Sequence, residues 1–551
     1  MPQNQLHPPS DERGIPTPSN YVVRAQSSAP SAEEITFSRE AVARSSVIDW
    51  IENLRPQIEN SDWGDILNLD GISAVDVLVS PIYLSMLELL RRGSSAGPTS
   101  VGRLKRIRQL AYLVKVACAA VIARTRSAQP TQVDALFWPR DITHIQGQMP
   151  VASVMAQSGK RIAFFACQPR IQHQLERQGF SVVSPFRAWP MRLRAAHRDG
   201  SQRARALRRA PASPMCSVAG TDLDGTLLAD ALRANLVKYL PLACEAVANA
   251  RAALERFDPG MLVVGNDLTF EGRAGALAAR QVGIPTAVLM HGSFAVNDIQ
   301  RLHVADKILV YGETYRDSLL NEGIADSRIE VTGAPYLDAI PPQQGSVNQV
   351  IQRRLGIASD APVILVATSG PGHVVSMQHH QFVIEQIAKL SARLPDLTFL
   401  IKLHRKDRID HYRPILAKVP YSKLHIVPHG ERGYPHSIFD WLQGCRMLLT
   451  GSSTVALEAM IQNVPVVTMD FAGEISGVEF IEAGATVHVT TPAELELAVR
   501  NLVRTPQDYH QTRRNAQAYI KSAFLAVDGH SAERAAQAVA KMSTSRTTRA
   551  L

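Results

Sequence analysis

Short apolar runs alternate with amphipathic segments along most of the chain. From about residue 131 the apolar runs are VDALFWP, RIAFFAC, FSVVSP, GMLVVGND, TAVLMHG and ADKILVYG. A break at DAIPPQQGSVNQ interrupts the pattern, and a second series follows with PVILVATSG, LTFLIKLH, KLHIVP, RMLLTG and VPVVTMD. Apolar strands that alternate with helical segments predict parallel sheets covered by helices on both faces. The sequence therefore predicts an α/β protein with two doubly wound, Rossmann-like domains and a cleft between them.

The same pattern predicts where each part of the chain begins and ends. Residues 1–34 are rich in Pro, Ser and Gln and predict a disordered tail, and residues 35–130 have mostly helical periodicity. Residues 131–342 form the first Rossmann-like domain in this interpretation, and residues 343–525 form the second. Residues 526–551 are expected to form a C-terminal helix and tail, with the helix packed back across the first domain.

The composition indicates a cytoplasmic protein and leaves its partner open. The five cysteines, Cys118, Cys167, Cys216, Cys244 and Cys445, lie far apart, without metal-ligand spacing. The first residues have no basic start followed by an apolar run, so they do not resemble a secretory signal. A net charge of +9 and a pI of about 9.4 suit a nucleotide, a lipid head group or a nucleic acid. On charge alone, a basic surface without any role is favoured over these partners.

Two segments raise the question of membrane contact. Residues 110–123 are apolar but too few to span a bilayer, which takes about 20 residues, and they contain Lys115. A buried helix is favoured there over a helix that lies on an anionic membrane surface. Residues 192–209 are crowded with arginine, and a solvated loop or helix face is favoured there, with a phosphate or membrane contact as the alternative.

The turn Gly451-Ser452-Ser453-Thr454 separates an apolar run from a helical segment. This order places a helix N-terminus, with its unpaired N–H groups and its dipole, at the carboxyl end of a strand. A helix cap needs only one hydroxyl group. Three hydroxyl groups beside a glycine therefore predict a site for phosphate oxygens.

Several motifs resemble one group of enzymes. The stretch TGSSTVALEAMIQNVPVVTMD resembles the donor-nucleotide motif of glycosyltransferases with the GT-B architecture, and ARQVGIPTAVLMHG, LIKLHRKD and DGHSAER resemble further segments of them. The branch in question includes CDP-glycerol glycerophosphotransferases and the sugar transferases of capsule and lipopolysaccharide synthesis. The non-hydrolysing UDP-N-acetylglucosamine 2-epimerases share the fold and are similar too. The resemblance covers roughly residues 260 to 540.

The resemblance implies roles for particular residues. His291, which ends the strand TAVLMHG, is the expected base or phosphate contact, and Asp267 is the second choice for the base. Lys402 and His404 are expected to neutralise the phosphates of the donor, together with Gly451, Ser452, Ser453 and Thr454. Glu458 is the expected contact to the donor ribose, with a favourable interaction with the helix dipole as the alternative. Arg405 stands where the pattern usually has proline.

The implied activity is transfer of a sugar, or of a glycerophosphate-type group, from a nucleotide-activated donor. The donor is expected to be CMP-, CDP- or UDP-linked, and the acceptor a surface polysaccharide or a lipid-linked glycan. Electrostatic stabilisation of the leaving group predicts no essential metal and no further cofactor. No nucleic acid is expected as a partner. The expected location is the cytoplasm, with peripheral contact at the inner face of the cell membrane.

Three other functions stay open at this stage. A 2-epimerase uses the same fold without an acceptor and is expected to carry several carboxylates in its cleft, of which this sequence shows few. Asp222 and Asp224 in TDLDGTLLAD resemble the nucleophile motif of haloacid-dehalogenase phosphatases, which use Mg²⁺. The apolar strand that should precede that motif is weak here. The third alternative is an inactive scaffold that binds a lipid-linked glycan through its basic segments.

Overall fold

The computed structural model describes most of the chain. The described residues are 47–92, 132–211, 225–292, 298–340, 345–369, 377–405, 407–417, 423–451, 453–471, 478–504 and 510–549. Several expectations therefore lie outside the described residues: the tail, the apolar segment at 110–123, the Asp222–Asp224 motif and Ser452.

The described N-terminal part is helical, as the sequence predicts. Its helices are α1 (residues 47–59), α2 (Gly64–Leu67), α3 (Ala74–Val77) and α4 (Val79–Arg92). Ser73 begins α3 by accepting a hydrogen bond from the backbone N–H of Val75. Apolar side chains of these helices, including Ile48, Leu54 and Trp63, are buried in the largest hydrophobic cluster. This part is therefore packed onto the first domain.

The first domain is a seven-stranded parallel sheet with the order β3-β2-β1-β4-β5-β6-β7. Its strands are β1 (Ala135–Trp138), β2 (Ile162–Phe165), β3 (Ser181–Val183), β4 (Leu262–Val264), β5 (Thr286–Leu289), β6 (Lys307–Val310) and β7 (Ile329–Val331). Its helices are α5 (Ile142–Gln157), α6 (Pro169–Arg177), α7 (Pro185–Ala188), α8 (Pro190–Arg209), α9 (Gly225–Phe257), α10 (Phe270–Gln281) and α11 (Glu313–Asn321). The central strands are buried along their whole length, because helices cover both faces.

The second domain is a six-stranded parallel sheet with the order β10-β9-β8-β11-β12-β13. Its strands are β8 (Val363–Ala367), β9 (Thr398–Lys402), β10 (Leu424–Val427), β11 (Met447–Thr450), β12 (Val466–Met469) and β13 (Val487–Val489). Its helices are α12 (Gln349–Leu355), α13 (Met377–Arg393), α14 (Arg413–Leu416), α15 (Ile438–Leu442), α16 (Val455–Ile461), α17 (Glu479–Glu482), α18 (Pro492–Arg504) and α19 (His510–Ala523). Two parallel sheets with helices on both faces confirm the predicted fold class.

The C-terminal helix α20 (Ser531–Arg549) returns to the first domain. The carboxylate of Asp338 accepts hydrogen bonds from the backbone N–H groups of Ser531 and Ala532, at 3.0 and 2.6 Å. Ala535 and Val539 are fully buried in the cluster that covers one face of the first sheet. The helix therefore packs across the first domain, as the sequence indicates. None of the helices in the described ranges has an apolar stretch long enough to span a membrane.

Candidate functional site

In each sheet the strand order reverses at one point, between two neighbouring strands that are not consecutive in the chain. In the first sheet β1 lies beside β4, although β2 and β3 come between them in the chain. In the second sheet β8 lies beside β11 in the same way. Ligands of doubly wound sheets bind outside the carboxyl ends of the strands at such a reversal. The segments after β1, β4, β5, β8, β9 and β11 therefore define the candidate site.

His291 lies just beyond the carboxyl end of β5 and is half-buried. Its Nδ1 lies 2.9 Å from the carbonyl oxygen of Gly265, at the end of β4. Because a carbonyl oxygen only accepts, Nδ1 carries the proton and the lone pair of the neutral ring is on Nε2. Burial lowers the pKa of His291 below its usual value. At neutral pH this histidine is therefore uncharged and able to accept a proton.

His144 lies next to His291, and the sequence alone gave no reason to select it. It is buried in the first turn of α5, and the centres of the two rings are 4.2 Å apart with an edge-to-face orientation. Its Nδ1 accepts a hydrogen bond from the backbone N–H of Arg140, at 3.0 Å. Burial, together with the neighbouring His291, lowers its pKa to about 3. A side chain at Gly265 would collide with this ring, so the glycine makes the close packing possible.

Two carboxyl groups lie beside the histidine pair. Burial opposes the ionisation of Asp141, but hydrogen bonds from the hydroxyl group and the backbone N–H of Thr143 lower its pKa. Glu271, in the first turn of α10, is 3.6 Å from the guanidinium of Arg140, and burial raises its pKa. The wall of the site that belongs to the first domain thus holds an ionised carboxylate, Asp141, and a carboxyl group, Glu271, that keeps its proton to a higher pH than an exposed glutamate does.

Asp267 lies away from this group, in the core of the first domain. Its side chain is fully buried and forms an ion pair with His303. Its other oxygen accepts hydrogen bonds from the backbone N–H groups of Val304 and Ala305, at 2.6 and 2.7 Å. Burial alone would raise its pKa, yet His303 and these hydrogen bonds lower it to about 2. Both oxygens are occupied, so this geometry does not favour the expected role of Asp267 as a base and favours a structural role.

Lys402 ends β9 on the other wall of the site. It is half-buried, and its ammonium group lies 5.9 Å from the centre of the Trp441 ring. Burial lowers its pKa, against the opposing influence of Glu458. His404 lies two residues beyond the end of the strand, and its backbone N–H donates to the hydroxyl oxygen of Thr368 at 2.8 Å. Lys402 and His404 are therefore held next to the end of β8, near the strand reversal.

Further basic groups gather around Lys402. His429 follows β10, and burial together with the charges of Lys402, Arg405 and His436 lowers its pKa. Arg405 is exposed. A phosphate group bound beside them would be attracted by Lys402 and Arg405. Its negative charge would also favour protonation of His429 and His436. The carboxyl ends of β9 and β10 thus form a basic cluster suited to phosphate oxygens.

The turn after β11 faces the first domain. A Cβ atom added to Gly292, next to His291, would lie 4.0 Å from Cγ2 of Thr454. Thr454 begins α16 without capping it through its side chain, so its hydroxyl is not used as a helix cap. The helix is only seven residues long, which is shorter than the pattern predicts, and its dipole is correspondingly weak. The turn therefore lies beside Gly292 and offers hydroxyl groups rather than a strong helix dipole.

Glu458 lies one turn after Thr454 on the same face of α16. Burial raises its pKa to about 8, although Lys402 acts in the opposite direction. Burial also raises the pKa values of Tyr311 and Tyr336 in the first domain, and Glu458 adds to both shifts. Glu458 thus points toward the first domain and keeps its proton at neutral pH, so it can donate as well as accept a hydrogen bond.

The arrangement combines a neutral histidine, a protonated carboxyl group on Glu458 and a basic cluster on the walls of one cleft. Within the ranges that the structure describes, no group of three or more His, Cys, Asp or Glu side chains is arranged to hold a metal ion. The site can therefore hold a phosphate-bearing ligand on the second domain and exchange protons with it from the first domain.

Comparisons with known proteins place this architecture in context. A family model described as UDP-N-acetylglucosamine 2-epimerase matches residues 233–540, which is more than half of the chain. No curated protein matches the sequence significantly. The family match supports the relationship in fold to the epimerases. The closer resemblance to the glycerophosphotransferase branch stays a prediction.

Three solved structures illustrate the similarity. The UDP-GlcNAc 2-epimerase from Neisseria meningitidis, bound to UDP-GlcNAc, is 15% identical over 74% of this chain and 99% of that chain, with a TM-score of 0.47. The UDP-GlcNAc 2-epimerase from Methanocaldococcus jannaschii is 16% identical over 67% of this chain and 93% of that chain, with a TM-score of 0.46. A glycosyltransferase from Rickettsia africae is 11% identical over 74% of this chain and 98% of that chain, with a TM-score of 0.46.

Proposed function

The chain belongs to the UDP-N-acetylglucosamine 2-epimerase family, and we propose that it inverts the configuration at carbon 2 of a UDP-linked N-acetylhexosamine. The reaction would take place in the cleft between its two sheets. The observation that supports this most strongly is the approach of His291-Gly292 to Thr454 across the cleft. It brings the end of β5, which carries the neutral His291, next to the turn expected to hold the nucleotide. Phosphate binding and proton transfer can thus act on the same molecule.

The chemistry of the reaction requires both walls. A proton on carbon 2 of a sugar is not acidic by itself, but its loss becomes feasible when the C1–O bond to the diphosphate breaks at the same time. The electron pair of the C2–H bond then forms a C1=C2 double bond, and UDP leaves as the anion. Return of a proton to the opposite face of carbon 2, and of the diphosphate to carbon 1, gives the epimer. The enzyme must therefore stabilise a departing diphosphate while it moves protons.

The basic cluster on the second domain is suited to stabilising the departing diphosphate. Lys402, Arg405 and His429 would surround the diphosphate and stabilise the charge that develops on it. The hydroxyl groups of Ser453 and Thr454 would donate further hydrogen bonds. Glu458, with its proton retained, would contact the ribose hydroxyls. This proposal needs no metal ion, because protein cations supply the charge.

The first domain is suited to moving the protons to and from carbon 2. His291 is neutral at pH 7, with a lone pair on Nε2, and would accept the proton from carbon 2. Glu271, whose pKa is raised by burial, would serve as the donor for its return. With Asp141 beside it and Glu458 on the opposite wall, the cleft holds more carboxyl groups than the sequence alone indicates.

Glycosyl transfer is the second candidate. It is favoured by the resemblance of the strand that ends in His291-Gly292 to the acceptor domain of sugar transferases. In that reaction His291 would accept the proton of an acceptor hydroxyl instead of the proton of carbon 2. The same cations would stabilise the departing nucleotide.

The two candidates differ in what happens to the donor when no acceptor is present. We expect the purified protein to convert UDP-GlcNAc into its carbon 2 epimer in D2O, with deuterium at carbon 2 of the product, as followed by proton NMR. EDTA should leave the rate unchanged. Slow release of UDP without the epimer or deuterium would instead support a transferase that uses water in place of its acceptor. Intact UDP-GlcNAc after long incubation would contradict both reactions and support the inactive scaffold.

A further inference from the structure

The helix α8 carries a stripe of arginines on its solvent face. Its five members are Arg194, Arg198, Arg205, Arg208 and Arg209, and all are exposed. Their spacing of four, seven, three and one residues keeps them on one side of a helix with 3.6 residues per turn. From the first to the last the stripe is about 22 Å long, at a rise of 1.5 Å per residue. We call this surface the arginine stripe.

The opposite side of α8 is occupied by the fold. Leu193, Ala204 and Leu207 are buried against the domain. Arg203 pairs with Asp199 at 2.8 Å and also donates to backbone carbonyl oxygens of the N-terminal helices, and Arg192 pairs with Glu255 on α9. These two arginines therefore hold α8 in place.

The arginine stripe has no such structural use. Asp199 is the only acidic residue of α8, and it is already paired with Arg203. None of the five arginines forms an ion pair or a hydrogen bond with another side chain in the described part of the protein. Five guanidinium groups on one face, without carboxylates among them, give this face a positive potential that attracts anions. The arginine stripe is therefore suited to an anionic partner.

We infer that the arginine stripe binds the surface of a membrane that contains anionic phospholipids. A straight, exposed helix face presents its guanidinium groups to a flat array of phosphates, and guanidinium groups bind phosphate oxygens in pairs. Met191, in the first turn of α8, is 64% exposed and adds an apolar group at one end of the stripe. The partner is the headgroup layer, so no apolar helix has to enter the bilayer.

The composition of the helix favours a membrane over a nucleic acid. Proteins that bind single strands combine basic grooves with aromatic side chains on which bases stack. The sequence of α8 contains no Phe, Tyr or Trp. Trp189, just before the helix, stacks on Phe165 and donates its indole N–H to Asn249 at 2.9 Å, so it is occupied within the fold.

The position of α8 relates the arginine stripe to the candidate site. β3 ends at Val183, α7 follows at once, and α8 begins at Pro190. The first turn of α8 therefore lies at the same edge of the first sheet as the carboxyl ends of β1, β4 and β5. Membrane binding through this helix would hold the candidate site close to the lipid surface, whichever reaction the site performs.

Vesicle co-sedimentation of the full-length protein tests the inference. We expect binding to phosphatidylcholine vesicles that contain phosphatidylglycerol, little binding to phosphatidylcholine alone, and a steep loss of binding as salt is added. The variant R194Q/R198Q/R205Q/R208Q should bind the anionic vesicles at least about tenfold more weakly, because each basic residue near the surface adds to the affinity. Its activity on UDP-GlcNAc in solution should be unchanged.

A matched variant separates the stripe from the overall charge. R170Q/R177Q/R504Q/R513Q removes the same number of exposed arginines from α6, α18 and α19, and it should bind like the wild type. Equal losses in the two variants would contradict the inference, since binding would then follow net charge alone. Binding of the wild type to single-stranded RNA but not to anionic vesicles would also overturn it.

Discussion

Replacing His291 with asparagine lowers kcat by roughly 10²- to 10⁴-fold, which is the usual contribution of a positioned base. The amide N–H₂ group of asparagine can still donate to the carbonyl oxygen of Gly265, as Nδ1 does at 2.9 Å in the wild type. The substitution therefore removes Nε2 while it keeps the local structure. The effect applies to epimerisation and to glycosyl transfer alike, because the same atom accepts the proton in both.

The pH dependence provides a second check on His291. Since burial lowers its pKa, the wild-type rate should stay high below pH 6.5 and fall only in more acidic solution. In the asparagine variant this acidic decline should disappear from the residual rate. His173, which is exposed on α6, provides the control, and its replacement with asparagine should leave kcat and the pH profile unchanged. A kcat within tenfold of the wild type in the His291 variant would contradict its role as the base.

Replacing Asp267 with asparagine lowers the free energy of unfolding by about 3 kcal/mol or more, because each buried donor that loses its acceptor costs about 1–3 kcal/mol. The substitution takes an acceptor oxygen away from the buried His303 ring and turns a donor toward backbone N–H groups that need an acceptor. Urea-induced unfolding followed by tryptophan fluorescence measures the change. The exposed Asp396 provides the control, and its replacement with asparagine should shift stability by no more than about 0.5 kcal/mol.

The loss of stability in acid should depend in part on the same residue, Asp267. The pKa of Asp267 is lowered from 3.8 to about 2, so its contribution to stability is fully present above about pH 4 to 5 and is lost as the pH falls toward 2. A shift of this size corresponds to about 2 kcal/mol. The asparagine variant should lack this part of the acid-induced loss. If the variant instead kept its stability and lost activity, Asp267 would belong to the catalytic group after all.

Much of the architecture could be predicted from the sequence, because the strands of parallel sheets are short continuous apolar runs. RMLLTG and VPVVTMD give β11 and β12, and the break after DAIPP separates the two sheets. The positions of His291 and Lys402 at strand ends follow from the same pattern. Residues at the carboxyl ends of parallel strands meet at one edge of the sheet, so both lie at the cleft.

The partners of these residues could not be predicted in the same way. His144 and Asp141 lie far from His291 in the chain, and they reach it only because β1 lies beside β4 in the sheet order. Nothing in the local pattern around His144 distinguishes it from an ordinary core residue of an amphipathic helix. One signal was present: Gly265 directly follows an apolar strand, where close packing of another side chain is common.

Asp267 is a residue whose burial the local sequence pattern does not predict. A carboxylate shortly after an apolar strand has the sequence context of a cleft residue. Its burial depends on the backbone of Val304 and Ala305 and on the ring of His303, which belong to a later loop. Such a pairing depends on tertiary contacts, and the periodicity of the chain contains no information about it.

The basic cluster around Lys402 is expected to bind the phosphates of a UDP-linked sugar. Calorimetric titration of UDP in the presence of EDTA, with the wild type and with Lys402→Met, tests it most directly. Methionine keeps the packing beside Trp441 and removes only the charge. We expect UDP to bind the wild type without metal, and to bind the variant at least about tenfold more weakly, since a charged hydrogen bond contributes about 1.5–3 kcal/mol. Equal affinities in the two proteins, or no binding of UDP to the wild type, would contradict the account.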